Sequence, residues 1–402
     1  MQISEFAANM QYSPIRKFNA IAEKAAKSGA HIYHLNIGQP DIPTPSCFLE
    51  AIRNFDSRVV AYAESQGEAR LIHAIRRYFA REYDVHFKDD EIIATMGASE
   101  ALTMTFTTLL NYRDEVLIPE PFYSNYRTFV TAAAGRVHPI TTTPETGYDY
   151  ADRALLERSV TPNTKAIVCI NPGNPTGNVL TPDDMELIAD FAIEHDLWII
   201  ADEAYREYVY DGRKACTFAS VERIADRLIL IDSVSKRFSA CGARIGCVIS
   251  RNKEFMDAIL KLAQARLCIP TVDQLAAAAL FDLDSSYYTK MNAEYEERRD
   301  AAYEEMIRIP GAVCKKPGGA FYMSIDLPID DAEDFLMFML TEFRHEGETT
   351  MFAPAKGFYS TPGKGKTEIR IAYVLNSEDL RRACYLIRLG VAAYTARQAL
   401  TA

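Results

Sequence analysis

The sequence predicts an α/β fold: a mostly parallel sheet covered by helices on both faces, joined to a smaller α+β domain built from both chain ends. Three observations carry that expectation. Seven short apolar runs recur, most without in–out alternation, as strands buried on both faces require. Segments with helical spacing lie between several of them, the pattern of βαβ units. Past Leu280 the character changes to one long Tyr/Glu/Arg-rich helix followed by isolated strands and helices. At 402 residues the chain also exceeds the size at which a single core usually stops growing.

The seven runs are residues 91–96, 115–119, 136–140, 165–170, 197–201, 228–231 and 245–249. Helical spacing covers 98–110 and 182–195, the latter with Thr181 as N-cap and Pro182 in its first turn. Beyond them, 282–308 reads as one amphipathic helix. Strands follow near 319–325 and 367–373, helices near 332–345 and 377–397, and a Pro/Gly-rich loop at 358–366. The expected organisation is an N-terminal arm and part of the small domain at 1–45, a large domain at 46–285, and the small C-terminal domain at 286–402.

Composition narrows the function. Apolar residues make up 48% and charged residues 25%, an ordinary globular profile. A net charge of −11 argues against nucleic-acid binding, which needs a basic surface. The eight cysteines are scattered with no C-x-x-C pair, so they read as reduced thiols, with no metal site. The first residues have no basic start or sustained apolar core, and no apolar stretch is long enough to span a bilayer. The expected location is the cytoplasm.

Chemistry concentrates at the ends of the apolar runs. Lys236 ends 228–235, with Ser233 and Ser235 beside it and Arg244 eight residues on. Asp202 ends another run, with Tyr205 three residues later. Asn174 opens Asn174-Pro-Thr-Gly177. An amine, a strand-end carboxylate, hydroxyls and an arginine are the groups needed to hold pyridoxal phosphate. The turn Thr95-Met-Gly-Ala-Ser99 would offer the free N–H groups of Ala98 and Ser99 to a phosphate at a helix N-terminus. Tyr123 could stack on an aromatic ring. Arg370, inside a strand, is placed to bind a carboxylate bidentately. Each has an ordinary alternative: helix capping for Asp202, turn chemistry for Asn174, packing for Tyr123, and a structural acid partner for Arg370.

In this order, the residues resemble the class I/II aminotransferases, the fold-type-I pyridoxal phosphate enzymes. The likeness runs from Ser13-Pro-Ile-Arg16 through Leu35-Asn-Ile-Gly-Gln-Pro-Asp41, Tyr62 with Gln66-Gly67, Asn174-Pro-Thr-Gly177, Asp202-Glu-Ala-Tyr205, Ser233-Val-Ser-Lys236 and Gly242-Ala-Arg-Ile-Gly246 to Arg370. The resemblance implies that Lys236 forms the Schiff base and then moves the substrate α-proton. It pairs Asp202 with the ring nitrogen, Tyr205 and Asn174 with the ring hydroxyl, and stacks Tyr123 on the ring. Ala98, Ser99, Ser233, Ser235 and Arg244 would hold the phosphate, with Tyr62 reaching in from a neighbouring subunit of a homodimer. Gly38, Asn174 and Arg370 would hold the substrate α-carboxylate. The implied reaction passes an amino group from an L-amino acid to a 2-oxo acid.

Ser99 stands where an aspartate-using subgroup has lysine. Recognition of an acidic side chain, with aspartate and 2-oxoglutarate as the pair, therefore rests on Arg266 and Arg16. An aromatic or alanine aminotransferase and a carbon–sulfur β-lyase of the same fold stay open. A nucleotide-dependent dehydrogenase does not, because no G-x-G-x-x-G follows the first strand.

Overall fold

The computed structural model describes residues 1–401. Its central element is a seven-stranded sheet made of β2 (Ile92–Thr95), β3 (Glu115–Glu120), β4 (Arg136–Thr141), β5 (Thr164–Ile170), β6 (Trp198–Asp202), β7 (Leu228–Ser233) and β8 (Gly246–Ile249). All seven coincide with the expected apolar runs to within about two residues. The spatial order is β2-β8-β7-β6-β5-β3-β4, and β8 alone runs antiparallel to its neighbours.

The missing alternation has a direct cause. On β5 and β6, Ile167, Cys169, Ile199 and Ala201 face one apolar cluster, while Ala166, Val168, Ile170 and Ile200 face another. Each full-sized aliphatic so buried contributes roughly 1.5–3 kcal/mol. Helices supply both clusters. The helix Pro182–Glu194 packs on one face, starting at a capping box between Thr181 and Asp184. The helices Gly97–Leu109 and Lys253–Arg266 pack on the other.

Two smaller sheets complete the fold. In the first, β1 (His31–His34) pairs in parallel with β10 (Glu348–Met351), bringing the N-terminal region against the C-terminal one. In the second, β9 (Tyr322–Asp326), β11 (Ala353–Pro354) and β12 (Glu368–Ala372) form an antiparallel sheet with β12 in the middle. The long helix Ser286–Met306 lies along the helix Ser377–Thr401. It starts four residues later than expected, because the Asp284 carboxylate accepts from the Ser286 N–H and sets a turn there.

The helix expected over 332–345 ends at Thr341. A tight turn between His345 and Glu348 follows, with Glu346 and Gly347 both at positive φ, and leads into β10. The sequence concealed β10 because Thr349 and Thr350 look like loop residues. Both are buried, and their hydroxyls donate to the Met339 and Ala383 carbonyls. Among the described residues, no helix is long and apolar enough to cross a membrane. The eight cysteines are free thiols.

Candidate active site

The C-terminal ends of β2, β5, β6 and β7 open on one edge of the large sheet, where open α/β sheets place ligands. There a cavity of about 500 Å³ is lined by residues from these strand ends, from 13–39, and from β9 and β12. Lys236 lies just past β7. Its Nζ donates to the Gly38 carbonyl at 2.7 Å, with the Cys241 Sγ 3.9 Å away. Asp202 ends β6. Its Oδ2 accepts from the Tyr126 hydroxyl at 2.5 Å and its Oδ1 from the Ala204 N–H at 3.1 Å. Burial pushes the Asp202 carboxyl above its ordinary value, and these two donors oppose the shift. A cationic partner in the cavity would offset the desolvation directly.

Around that pair the structure brings together the residues expected to hold a phosphate. Gly97 has φ +70° and opens the helix Gly97–Leu109, whose first N–H groups have no intrahelical acceptor. A Cβ at Gly97 would collide with the Arg244 guanidinium, so glycine is what lets that arginine reach the helix start. Arg244 donates to the Cys241 carbonyl at 2.9 Å and more weakly to Ser235 Oγ at 3.5 Å. Ser233 and Ser235 are joined hydroxyl to hydroxyl at 2.7 Å. Ala98 and Ser99 line the same wall.

The opposite wall comes from the smaller sheets. Arg370, in β12, is 1% exposed and stands over the Tyr322 ring at 4.7 Å. Its Nη1 donates to Asn174 Oδ1 at 3.2 Å and its Nη2 to the Asn36 carbonyl at 2.5 Å, while its Nε has no hydrogen-bond partner among the described residues. Among the described residues no acid lies within ion-pair distance of it, and burial lowers its pKa. A buried, under-satisfied guanidinium beside a cavity has the chemistry to bind a carboxylate. Tyr205 and Tyr322 meet hydroxyl to hydroxyl at 2.8 Å, and Tyr123 receives a hydrogen bond from Asn125 at 2.7 Å. Gly38 has to be glycine, since a Cβ there would collide with the Tyr322 hydroxyl.

Four cationic side chains, Arg16, Lys236, Arg244 and Arg370, thus line a cavity that contains one carboxylate, Asp202. In a chain of net charge −11 this concentration selects anionic ligands. The donor set fits pyridoxal phosphate together with an amino acid: cradle for phosphate, amine for aldehyde, carboxylate for ring nitrogen, and buried arginine for α-carboxylate.

Two expected residues lie elsewhere. Tyr62 is 81% exposed and lies outside the cavity, beside exposed Val59 and Val60. Arg266 also lies outside. As the last residue of the helix Lys253–Arg266, it donates to the Ser65 and Ala94 carbonyls at 3.3 and 3.2 Å and sits 3.6 Å from Glu100. Only the Arg266 Nη2 is hydrogen-bonded, to backbone outside the cavity, whereas Arg16 has no carboxylate partner among the described residues and lines the cavity. Sequence reading missed Tyr126, Tyr322 and Cys241. The first lies one helical turn from Tyr123, and the second ends the Gly318-Gly-Ala-Phe-Tyr322 run, so both carried a faint signal.

Residues 30–387 match the family model for aminotransferase class I and II. The aspartate aminotransferase of Bacillus subtilis is 28% identical over 398 residues, spanning 96% of this chain and 98% of its own. The aromatic-amino-acid aminotransferase 2 of Thermococcus litoralis is 30% identical over 389 residues, spanning 95% and 96%. Among solved structures, an alanine aminotransferase from Pyrococcus furiosus superposes with a TM-score of 0.89 at 28% identity, covering 98% of this chain and 100% of that one.

Proposed function

Because the chain belongs to the class I and II aminotransferases, which are pyridoxal-phosphate-dependent transferases, we propose that its cavity moves an amino group between a dicarboxylic L-amino acid and a 2-oxo acid. Aspartate and 2-oxoglutarate are the pair named. The observation that carries the substrate class is Arg16, a cavity-lining guanidinium without a carboxylate partner among the described residues. A second carboxylate on the substrate would meet it while the first occupies Arg370.

Pyridoxal phosphate, when bound, supplies the conjugated ring that draws electrons from the substrate α-carbon. The chain's residues do the rest. Arg244, Ser233, Ser235 and the N–H groups of Ala98 and Ser99 hold the phosphate, and Asp202 holds positive charge at the ring nitrogen, itself oriented by Tyr126. Tyr123 would pack on the ring, and Asn174 and Tyr205 would bind its hydroxyl. Arg370, held by Asn174 and Asn36, orients the α-carboxylate with Gly38. Lys236 Nζ then carries the proton off the substrate α-carbon. The exposed run Val59, Val60 and Tyr62 supports a homodimer in which Tyr62 completes the partner's cradle.

Loading the protein with the cofactor and adding aspartate, glutamate, alanine, tyrosine or methionine in turn tests this reading. Loss of the visible band with the two dicarboxylates at the lowest concentrations supports it. Preference for alanine or tyrosine would assign a different substrate. Steady release of pyruvate and ammonia from an amino acid with sulfur on its β-carbon, such as cysteine, without any 2-oxo acid would make the protein a carbon–sulfur β-lyase.

A further inference from the structure

Directly behind the cavity wall lies a second set of charges. At the strand ends neighbouring residues point to opposite sides, so Glu203 and Asp232 lie behind Asp202 and Ser233. Arg237, in the turn that carries Lys236, joins them in one buried cluster. Arg206, Arg237, Glu203 and Asp232 are each at most 1% exposed and Glu207 is 6% exposed. Arg206 binds Glu203 at 2.6 Å and Asp232 at 2.7 Å, and Arg237 grips the other Asp232 oxygen. Aromatic rings enclose both guanidinium groups, with Arg206 4.6 Å from the Phe79 ring centre and Arg237 4.7 Å from that of Tyr78.

Stability alone does not explain this arrangement. Burying several ions costs several kcal/mol each, and apolar replacements of similar volume are often as stable. What the ions add is geometry. Asp232, held by two planar forks, ties the chain just beyond β6 to the turn just beyond β7. Those two segments carry Asp202 and Lys236, whose mutual position decides whether proton transfer is aligned with the ring that takes up the charge. We propose that Arg206 and Arg237 are positioning residues that fix the Lys236 amine relative to Asp202 by clamping Asp232 from both sides.

The proposal rests on the aminotransferase reading, and its test uses the cofactor-loaded protein. Arg237→Lys keeps the charge but loses the planar guanidinium, whose Nη2 binds Asp232 while its Nη1 lies 3.8 Å from Glu207, and so is expected to fold. Arg237→Met is the stronger perturbation. The readouts are the pH midpoint of the visible absorbance change, kcat and KM for the best amino acid, and thermal stability. Positioning predicts a midpoint displaced by ~0.5 unit or more in Arg237→Lys, with kcat lowered roughly 10-fold and KM within about 2-fold. If Arg237→Lys keeps the original midpoint and kcat, the proposal is overturned, whatever happens to melting temperature or to Arg237→Met. An unmodified protein with no visible band would refute the aminotransferase site, and this proposal with it.

Discussion

Asn174 Oδ1 accepts a hydrogen bond from Arg370 Nη1 at 3.2 Å, joining the turn after β5 of the large sheet to the middle strand of a small one. The two residues are 196 positions apart in the chain. Their contact orients a guanidinium whose desolvation meets no compensating acid among the described residues, a charge that the carboxylate of the proposed substrate would supply.

Arg370→Gln should therefore cost binding of every amino acid alike. Loss of a buried, charge-assisted carboxylate contact is worth about 3 kcal/mol, on the order of 100-fold in kcat/KM. The fall should be equal for aspartate and alanine. An effect confined to dicarboxylates would move Arg370 to the side-chain end of the substrate.

Arg16 and Arg266 separate cleanly in kinetics. Arg16→Gln is expected to raise KM for aspartate and glutamate by up to ~5-fold, the modest scale of an exposed charge pair, and leave alanine nearly unchanged. Arg266→Ala removes contacts to the Ser65 and Ala94 carbonyls, so melting temperature should drop while the aspartate-to-alanine ratio of kcat/KM holds. The reverse pattern would restore Arg266 as the reader of the acidic side chain.

Much of this was legible in the sequence because strands buried on both faces announce themselves as unbroken apolar runs, and the chemistry sits where those runs stop. Lys236, Asp202 and Asn174 are visible for that reason. Tyr322 left only the faint signal of its Gly-rich run, since its contacts with Tyr205 and Gly38 bridge 117 and 284 residues. β10 was hidden because its buried threonines are satisfied by distant helix carbonyls. Arg266 lies outside this chain's cavity because, at a helix C-terminus, its guanidinium turns to the Ser65 and Ala94 carbonyls, which no local pattern announces.

Glu207 gives the stability of the fold a pH signature. It accepts from the Tyr83 hydroxyl at 2.6 Å and from Tyr78, and lies 3.7 Å from Arg206 and 3.8 Å from Arg237. Burial, reinforced by Asp232, still pushes it from 4.5 up to about 7. A carboxyl raised in the folded state stabilises the fold below its ordinary value and loses that contribution as pH climbs through the raised one. The window runs from about pH 4.5 to 7, and the change is roughly 3 kcal/mol. Thermal melts of the unmodified protein and of Glu207→Gln across that window should converge at acid pH and separate toward pH 7, with the variant the more stable. Parallel curves would mean that Glu207 ionises normally in the fold.

The account centres on one nitrogen. Borohydride treatment of the cofactor-loaded protein, followed by peptide mass spectrometry, should place a single phosphopyridoxyl group on Lys236 Nζ. The group on another lysine, or no group at all after saturating exposure to cofactor, would contradict it.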